Sequence, residues 1–275
     1  MFKYFKAKTN KKELQKVFDT EIGQHLAAKG FDWKDKTYYR IVNGEILQMV
    51  IFGRPDSRTD TDIIFDMMPL YSNIPLLNYV RKIGELPCLN VTSAVNASRD
   101  FDVHLAYFKE HLMDELDRVK SSDDLLDFRT RWAKIEEECH AANGWGDNEG
   151  SEYTEEEAAF AASKYPALKT VKGELWLDFP TIYTALRCRR YELAAKEIQK
   201  RYYTRKAGEE YQLHKNLISE KNFQRQMILL DEIFKDELEI LHALEENDFR
   251  TINGILEENK EENLEKLADK LGILI

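Results

Sequence analysis

Residues 36–52 read KTYYRIVNGEILQMVIF, and this stretch decides the first half of the fold. Two runs rich in Tyr, Ile and Val, residues 36–42 and 45–52, flank the dipeptide Asn43-Gly44. Asn-Gly is the strongest short hairpin signal, because both residues tolerate the positive φ that a tight turn between antiparallel strands requires. The sequence therefore predicts a β-hairpin here.

Further elements are predicted on both sides of the hairpin. An apolar stripe predicts a helix over residues 10–29, opened by Asn10 and Glu13 as a capping box and closed by Gly30. Alternation over residues 61–70 predicts a third strand, and residues 89–95 predict a weak fourth. The stripe consists of Leu14, Phe18, Ile22 and Leu26.

The rest of the chain has a helical pattern. After Ser98 a stripe of period 3.6 begins, consisting of Phe101, Leu105, Phe108, Leu112, Leu116 and Val119. Residues 121–124 predict the cap of a second helix to about Ala142, and Thr154 with Glu157 predicts another capping box. From Phe179 onward only helical pattern is found.

The predicted fold class is α+β. It has a small, mostly antiparallel sheet of three to four strands with flanking helices, followed by an all-helical C-terminal region. Residues 143–150 are rich in Gly and acid and predict the boundary between an α+β domain, residues 1–145, and a helical region, residues 151–275.

The helical region contains a faint internal repeat. At an offset of 58 residues, Ile182, Ala185, Leu186, Tyr191 and Ile198 align with Ile240, Ala243, Leu244, Phe249 and Leu256. In both copies an Ala-Leu pair precedes an aromatic residue, as expected where a helix hairpin packs small residues under an aromatic at the turn. Two readings stay open, true αα-hairpin repeats and chance similarity between amphipathic helices.

Composition and charge limit the classes of function. The chain has 275 residues, 43% hydrophobic and 33% charged, which suits a soluble protein with a buried core. Its net charge of −10 argues against general attraction to nucleic acid or anionic lipid. Residues 231–265 hold thirteen acidic and three basic residues, so the rest of the chain is near neutral and local basic patches remain open.

Cysteine usage and hydropathy predict the compartment. The three cysteines lie far apart with no C-x-x-C pair, which favours a reducing interior over a disulfide framework or a zinc site. Residues 1–12 lack the apolar core of a secretory signal. The longest uncharged run, residues 67–80, is too short to span a bilayer, which needs about twenty apolar residues. We expect a soluble cytoplasmic protein with no membrane contact.

Residues 20–72 resemble an uncharacterised bacterial family known as domain of unknown function 4304. The pattern is a helix ending in Gly-Phe, an aromatic-Arg strand, a hairpin into an apolar strand containing Gln, and a further apolar strand. The matching residues are Leu26, Gly30-Phe31, Tyr38-Tyr39-Arg40, Ile46-Leu47-Gln48-Met49-Val50 and Ile63-Ile64-Phe65. The resemblance implies a bacterial, intracellular α+β module, in a family sometimes suspected of immunity or interaction roles, and brings no catalytic residue with it.

The chain lacks the local signatures of phosphate-binding loops, zincins and the hydrolase elbow. The best polar set is the stripe of Asp100, His104, His111 and Glu115, which fall within about 60° of one another on a straight helix. Such a stripe could hold a metal or a proton-transfer pair. The two histidines would lie about 10.5 Å apart along the axis, too far for one metal ion, so i,i+4 pairs on a solvated helix flank are the favoured reading.

Two charged segments are candidate contact surfaces. The loop carrying Arg54, Asp56, Arg58 and Asp60 has acids for a divalent ion, but its arginines oppose a cation and favour a protein partner. Residues 187–206 hold eight basic and two acidic residues with interleaved tyrosines, a pattern typical of single-stranded nucleic-acid sites. There we single out Arg201 and Arg205, with internal pairing to the acidic end and simple solvation as alternatives.

The leading hypothesis is a non-catalytic cytoplasmic protein-interaction module. An immunity-type inhibitor of a toxin is one such module, because it works by surface and charge complementarity. The alternatives are a nucleic-acid-associated protein that uses residues 187–206 and an unrecognised metal-dependent enzyme built around His104 and His111. We predict no bound metal and no cofactor.

Overall fold

The computed structural model describes residues 2–34, 37–53, 60–73, 81–82, 89–90, 92–142, 154–168 and 177–271. The chain forms two compact units, the first made of residues 1–128 with 259–275 and the second of residues 129–258. The predicted boundary at residues 143–150 lies outside the described residues. The end of the chain belongs to the first unit and not to the helical one.

A five-stranded sheet forms the centre of the first unit, in the order β1-β2-β3-β5-β6, and each neighbouring pair is antiparallel. Its strands are β1 (Asp32–Lys34), β2 (Thr37–Val42), β3 (Ile46–Phe52), β5 (Ile63–Pro69) and β6 (Arg81–Lys82). A separate ladder pairs β4 (Asp60–Thr61) with β7 (Leu89–Asn90). The α+β class is confirmed, and the sheet exceeds four strands because the short β1 and β6 extend its two edges.

The predicted hairpin is confirmed. β2 pairs with β3 from Thr37↔Ile51 to Val42↔Ile46. Asn43 and Gly44 have φ of 52° and 68°, and the Glu45 amide donates to the Val42 carbonyl at 3.1 Å. β5 is the predicted third strand, whereas the predicted strand at residues 89–95 is cut to β7 because a helix begins at Ala94.

Two helical stretches of the first unit are interrupted by π-helical segments. The first comprises α1 (Phe2–Phe18), a π-helical segment (Asp19–Gly23) and α2 (Gln24–Ala28). The second comprises α3 (Ala94–Tyr107), a π-helical segment (Phe108–Leu112) and α4 (Met113–Arg118).

The predicted helix start at Asn10 is wrong. The helix already runs from Phe2, and Asn10 is a buried residue inside it. The capping-box pattern fits the spacing of Asn10 and Glu13 equally well when both lie within a longer helix. The predicted end is confirmed, because Gly30 has φ of 81° and the Phe31 amide donates to the Leu26 carbonyl at 3.0 Å.

The sheet is buried on both faces. Phe18 stacks on Phe52, and Phe52 meets Phe101 edge-on, so α1 and α3 cover one face. On the other face Leu267 of the last helix, α11 (Phe249–Leu271), packs with a cluster from the strands and the turn after them. That cluster is Tyr39, Leu47, Met49, Met68 and Leu70. Every member of the two predicted apolar stripes is buried.

Arg40 and Gln48 face each other across β2 and β3 and bind the ends of two helices. The Arg40 guanidinium donates to Gln48 Oε1, to the Lys29 carbonyl after α2 and to the Leu116 carbonyl of α4, each at 2.7 Å. Gln48 Nε2 donates to the carbonyls of Leu116 and Val119 at 2.9 and 3.1 Å. These carbonyls are the acceptors that a helix leaves unsatisfied at its C-terminal end.

Helices make up the described part of the second unit. They are the later part of α5 (Ser122–Ala142), then α6 (Glu155–Lys164), a 3₁₀ turn (Pro166–Leu168), α7 (Phe179–Arg187), α8 (Tyr191–His214), α9 (Glu220–Ile233), α10 (Lys235–Glu245) and the start of α11. The predicted capping box of Thr154 and Glu157 is present. In the described part of the chain no helix is long and apolar enough to cross a membrane.

The 58-residue repeat extends to the backbone. The helix pairs α7–α8 and α10–α11 are joined by equivalent turns. The amides of Cys188, Arg189 and Arg190 donate to Thr184, Leu186 and Ala185, and those of Glu246, Asn247 and Asp248 donate to His242, Leu244 and Ala243. Each donor and acceptor of one turn lies 58 residues from its counterpart, which favours the αα-hairpin reading over chance similarity.

Replacing Gln48 by Met tests the Arg40–Gln48 pair. The thioether cannot donate to the Leu116 and Val119 carbonyls, and an unsatisfied buried polar group costs about 1–3 kcal/mol. We expect Gln48→Met to lower the free energy of unfolding by about 2–4 kcal/mol in urea denaturation. Gln24→Met, at an exposed position of α2, serves as the control and changes it by less than about 0.5 kcal/mol.

Gly23 tests the packing of the first π-helical segment. A Cβ at this position would lie 2.6 Å from Tyr38 Cζ and would also overlap the Tyr38 hydroxyl, which contacts Asp19 at 3.1 Å. Gly→Ala inside an ordinary helix stabilises by about 1 kcal/mol. We expect Gly23→Ala to destabilise by about 1–3 kcal/mol instead, and Gly254→Ala in α11, with open space around it, to stabilise. Equal shifts in thermal denaturation would contradict this packing.

Candidate functional site

The predicted polar stripe is not brought together. His104 is 2% exposed and its Nδ1 lies 3.2 Å from Oδ1 of Asp62, which is 1% exposed. His111 is exposed at the far side of the second π-helical segment. A π-helical turn contains an extra residue, and one residue corresponds to about 100° of rotation, so a stripe extrapolated on a straight helix loses its phase here.

The two acids of the stripe have local partners. Asp100 accepts from the neighbouring Arg99 at 2.9 Å, and Glu115 accepts from Arg118 at 3.1 Å. Helical periodicity gave no signal for Asp62, the residue that actually faces His104, because Asp62 lies between two strands. Among the described residues no group of three or more His, Cys, Asp or Glu is placed to hold a metal ion.

We assign the Asp62–His104 pair to packing between α3 and the start of β5. Asp62 Oδ1 also accepts from the Ile63 amide at 3.0 Å. An imidazole beside a carboxylate is a typical acid–base arrangement, but both side chains are almost completely buried. Within the described residues, Asp62 Oδ2 and Thr61 Oγ1 have no hydrogen-bond partner.

The charged loop falls largely outside the described residues. Arg54, Asp56 and Arg58 are not among them, and Asp60 is described only through its backbone, which pairs with Asn90 in the β4–β7 ladder. The interaction surface predicted at this loop stays a prediction.

The predicted basic segment lies mainly on α8, and much of it has internal contacts. Arg201 Nε donates to the Leu177 carbonyl at 2.8 Å and its guanidinium lies over the Phe179 ring. Lys200 is 1% exposed and 3.8 Å from the buried Glu197. Arg205, in contrast, is exposed, with its guanidinium 5.9 Å from the Phe234 ring.

Two contacts join this segment to the acidic end of the chain. Arg187 donates to Glu257 at 2.9 Å, and the Tyr202 hydroxyl donates to Asp231 at 2.8 Å. Burial, together with the Asp231 carboxylate, raises the pKa of Tyr202 above its usual range. These contacts agree with the internal-pairing alternative for this part of the segment.

A cationic and aromatic surface lies where the two helix hairpins turn. The Tyr191 and Phe249 rings stack with centroids 4.8 Å apart and planes at 17°. Three exposed arginines adjoin them in sequence, and no hydrogen bond or ion pair of their guanidinium groups is found among the described residues. We call this set, Arg189, Arg190, Tyr191, Phe249 and Arg250, the turn surface.

Helix α9 has apolar residues on more than one side. Leu230 and the following Phe234 pack with Tyr202 of α8. Three further apolar residues of α9 are exposed, Ile228 by 61%, Leu229 by 48% and Ile233 by 52%. We call these three residues the outer face of α9. The signal in the sequence was the uninterrupted run Met227-Ile228-Leu229-Leu230, because successive helical residues point in different directions.

A groove of about 430 Å³ in the first unit separates the two π-helical stretches. Lys109 and Glu21 form an ion pair across it at 2.7 Å. The hydrogen bond from Lys109 lowers the pKa of Glu21. The groove is shallow and partly filled by this ion pair.

The chain matches no protein-family model, no curated protein and no solved structure. The resemblance of residues 20–72 to domain of unknown function 4304 stays a prediction.

Arg201 and Arg205, paired in the sequence analysis, have different surroundings. Arg201→Gln removes a hydrogen bond to the Leu177 carbonyl and the contact with Phe179, so we expect the free energy of unfolding to fall by about 1–3 kcal/mol. Arg205→Gln, at an exposed position, changes it by less than about 0.5 kcal/mol. Urea denaturation of both variants measures the difference, and similar losses would show that Arg201 is not structural.

Proposed function

We propose that the chain is a non-catalytic protein-binding module whose helical unit contacts a partner through the outer face of α9. The observation that carries this proposal is the exposure of Ile228, Leu229 and Ile233 on a helix that is already packed on its inner side. Consecutive exposed apolar residues are unfavourable in a helix that has only water on that side. They are common where another molecule covers them.

The geometry of α9 suits a protein partner. Leu229 and Ile233 are four residues apart and share one side of the helix, which is the spacing of anchor residues in helix-mediated recognition. Arg225 and Glu232 are exposed beside them and supply a polar rim. The inner contacts with Tyr202 and Phe234 hold the helix in place, so little ordering is needed when a partner binds.

The polar side chains singled out for chemistry support a non-catalytic role. His104 is buried against Asp62, and Arg201 binds the Leu177 carbonyl. A module that acts inside the cell by covering a partner's surface, as immunity-type inhibitors do, needs only surface and charge complementarity.

Charge introduced into the outer face tests the proposal. We expect tagged wild-type protein to recover one partner protein in stoichiometric amount, and Leu229→Lys or Ile233→Lys to reduce recovery at least about tenfold by burying a lysine in the interface. The matched control is Gln224→Lys, which adds the same charge at an exposed position on another side of α9. Circular dichroism checks that the variants stay folded.

A photoreactive residue gives a second readout. Benzoylphenylalanine at position 233 should cross-link to that partner, whereas the same residue at position 224 should not. Undiminished recovery with Leu229→Lys, or cross-links of equal yield at both positions, would remove the outer face of α9 as the contact surface.

A further inference from the structure

We propose that the turn surface is a second contact surface, which binds an acidic segment of a protein partner through Arg189, Arg190 and Arg250. This inference rests on the proposed function, since it assumes a protein partner, but it concerns different residues and a different kind of contact. Its evidence is the backbone of the repeated turn, the state of the arginines and the charge around them.

Arg189 occupies a position that disfavours its side chain. Within the described part of the second unit, three helices end in a residue with left-handed backbone, at φ of 58° for Arg189, 54° for Asn216 and 56° for Asn247. Asn visits this region readily, whereas for a long side chain it is an outlier. The equivalent position 58 residues on therefore has the residue that the turn favours, and Arg189 does not.

Strain of this kind points to a role for the side chain when no local contact compensates it. Arg189 and Arg190 are exposed, and no hydrogen bond or ion pair of either guanidinium is found in the described part of the chain. The cost of the left-handed arginine is thus not offset by any contact that the described residues make with it.

The aromatic stack holds the cations close together. Arg190 precedes Tyr191 and Arg250 follows Phe249, so the 4.8 Å stacking of the rings brings the two backbones together. Phe249 keeps 40% of its surface exposed beside them. Arginine beside an aromatic ring is the composition of interface hot spots, and guanidinium groups bind carboxylates through two parallel hydrogen bonds.

Neighbouring acids decide between two kinds of anionic partner. Asp248 is committed to capping α11, where it accepts from Thr251 Oγ1 at 2.7 Å, a bond that lowers its pKa. Glu192, Glu245 and Glu246 are exposed close by in sequence. A long polyphosphate strand would extend over residues 231–265, which carry thirteen acids and three bases. A short acidic peptide meets the three arginines alone, so the charge distribution favours a protein segment.

Fluorescence anisotropy with defined probes tests the inference. The probe is a labelled ten-residue peptide of Glu and Asp with one central Trp, and the comparison probe is a ten-residue oligothymidylate. We expect the peptide to bind and the oligothymidylate to bind more weakly. Arg189→Asn and Arg250→Gln should each weaken peptide binding by about tenfold. The control is Arg225→Asn in α9, which removes an exposed arginine elsewhere and should leave binding unchanged.

Arg189→Asn has a second readout with the opposite sign. Since Asn suits the left-handed turn, this variant should be more stable than wild type, with the unfolding equilibrium constant reduced about fivefold in urea denaturation. Greater stability with weaker binding identifies a residue kept for contact and not for folding. Unchanged peptide binding in Arg189→Asn, equal weakening by Arg225→Asn, or tighter binding of the oligothymidylate would each overturn the inference.

The two proposals fail separately. Leu229→Lys should keep its affinity for the acidic peptide, because the outer face of α9 does not contribute to this contact. Loss of partner recovery in that variant, together with absent peptide binding in wild type, leaves the outer face of α9 standing and removes the turn surface.

Discussion

The Arg40 guanidinium connects three parts of the first unit with one planar group. It lies on the central hairpin, donates to the ends of two helices, and rests 4.5 Å from the centre of the Phe31 ring. A permanent positive charge at two helix C-termini also meets the negative ends of two helix dipoles. Gln48 fixes the orientation of the guanidinium from the neighbouring strand at 2.7 Å. The positions of α2 and α4 on the sheet follow from this cross-strand pair, and the packing of Phe18 and Phe101 on the same face follows from those positions.

Local signals predicted the first unit well wherever local geometry determines the outcome. The Asn43-Gly44 turn, the Gly30 helix end and the buried stripes all depend on residues a few positions apart, and they were confirmed. Arg40 and Gln48 were noted in the sequence only as parts of a resemblance, because their acceptors on Lys29 and Leu116 are far away in the chain. The stripe through His104 and His111 was misplaced because two π-helical segments break the regular period, and periodicity alone gave no sign of them.

In the second unit, the sequence indicated the repeat but not its consequence. Apolar residues at an offset of 58 predicted where the hairpins lie, whereas the match between the two turns is a backbone property that appears only in the hydrogen bonds. Basic residues 187–206 looked uniform in the sequence. Burial separates them into internal residues such as Lys200 and Arg201 and exposed ones such as Arg189 and Arg190. Helical wheels cannot make that separation without knowing which helices pack together.

The last helix has a consequence for synthesis. Leu267 covers Tyr39, Leu47 and Met68, and the Asn263 side-chain amide donates to the Leu70 and Ser72 carbonyls at 2.7 Å. These contacts join residues almost two hundred positions apart, so one face of the sheet stays uncovered while the ribosome makes the entire helical unit. During that interval the nascent chain presents an apolar sheet face to the cytosolic side of the ribosome exit tunnel or to chaperones. Completion of the first unit is therefore a late event in the life of each molecule, and ribosome-bound chains that stop before residue 259 lack the helix that shields the sheet.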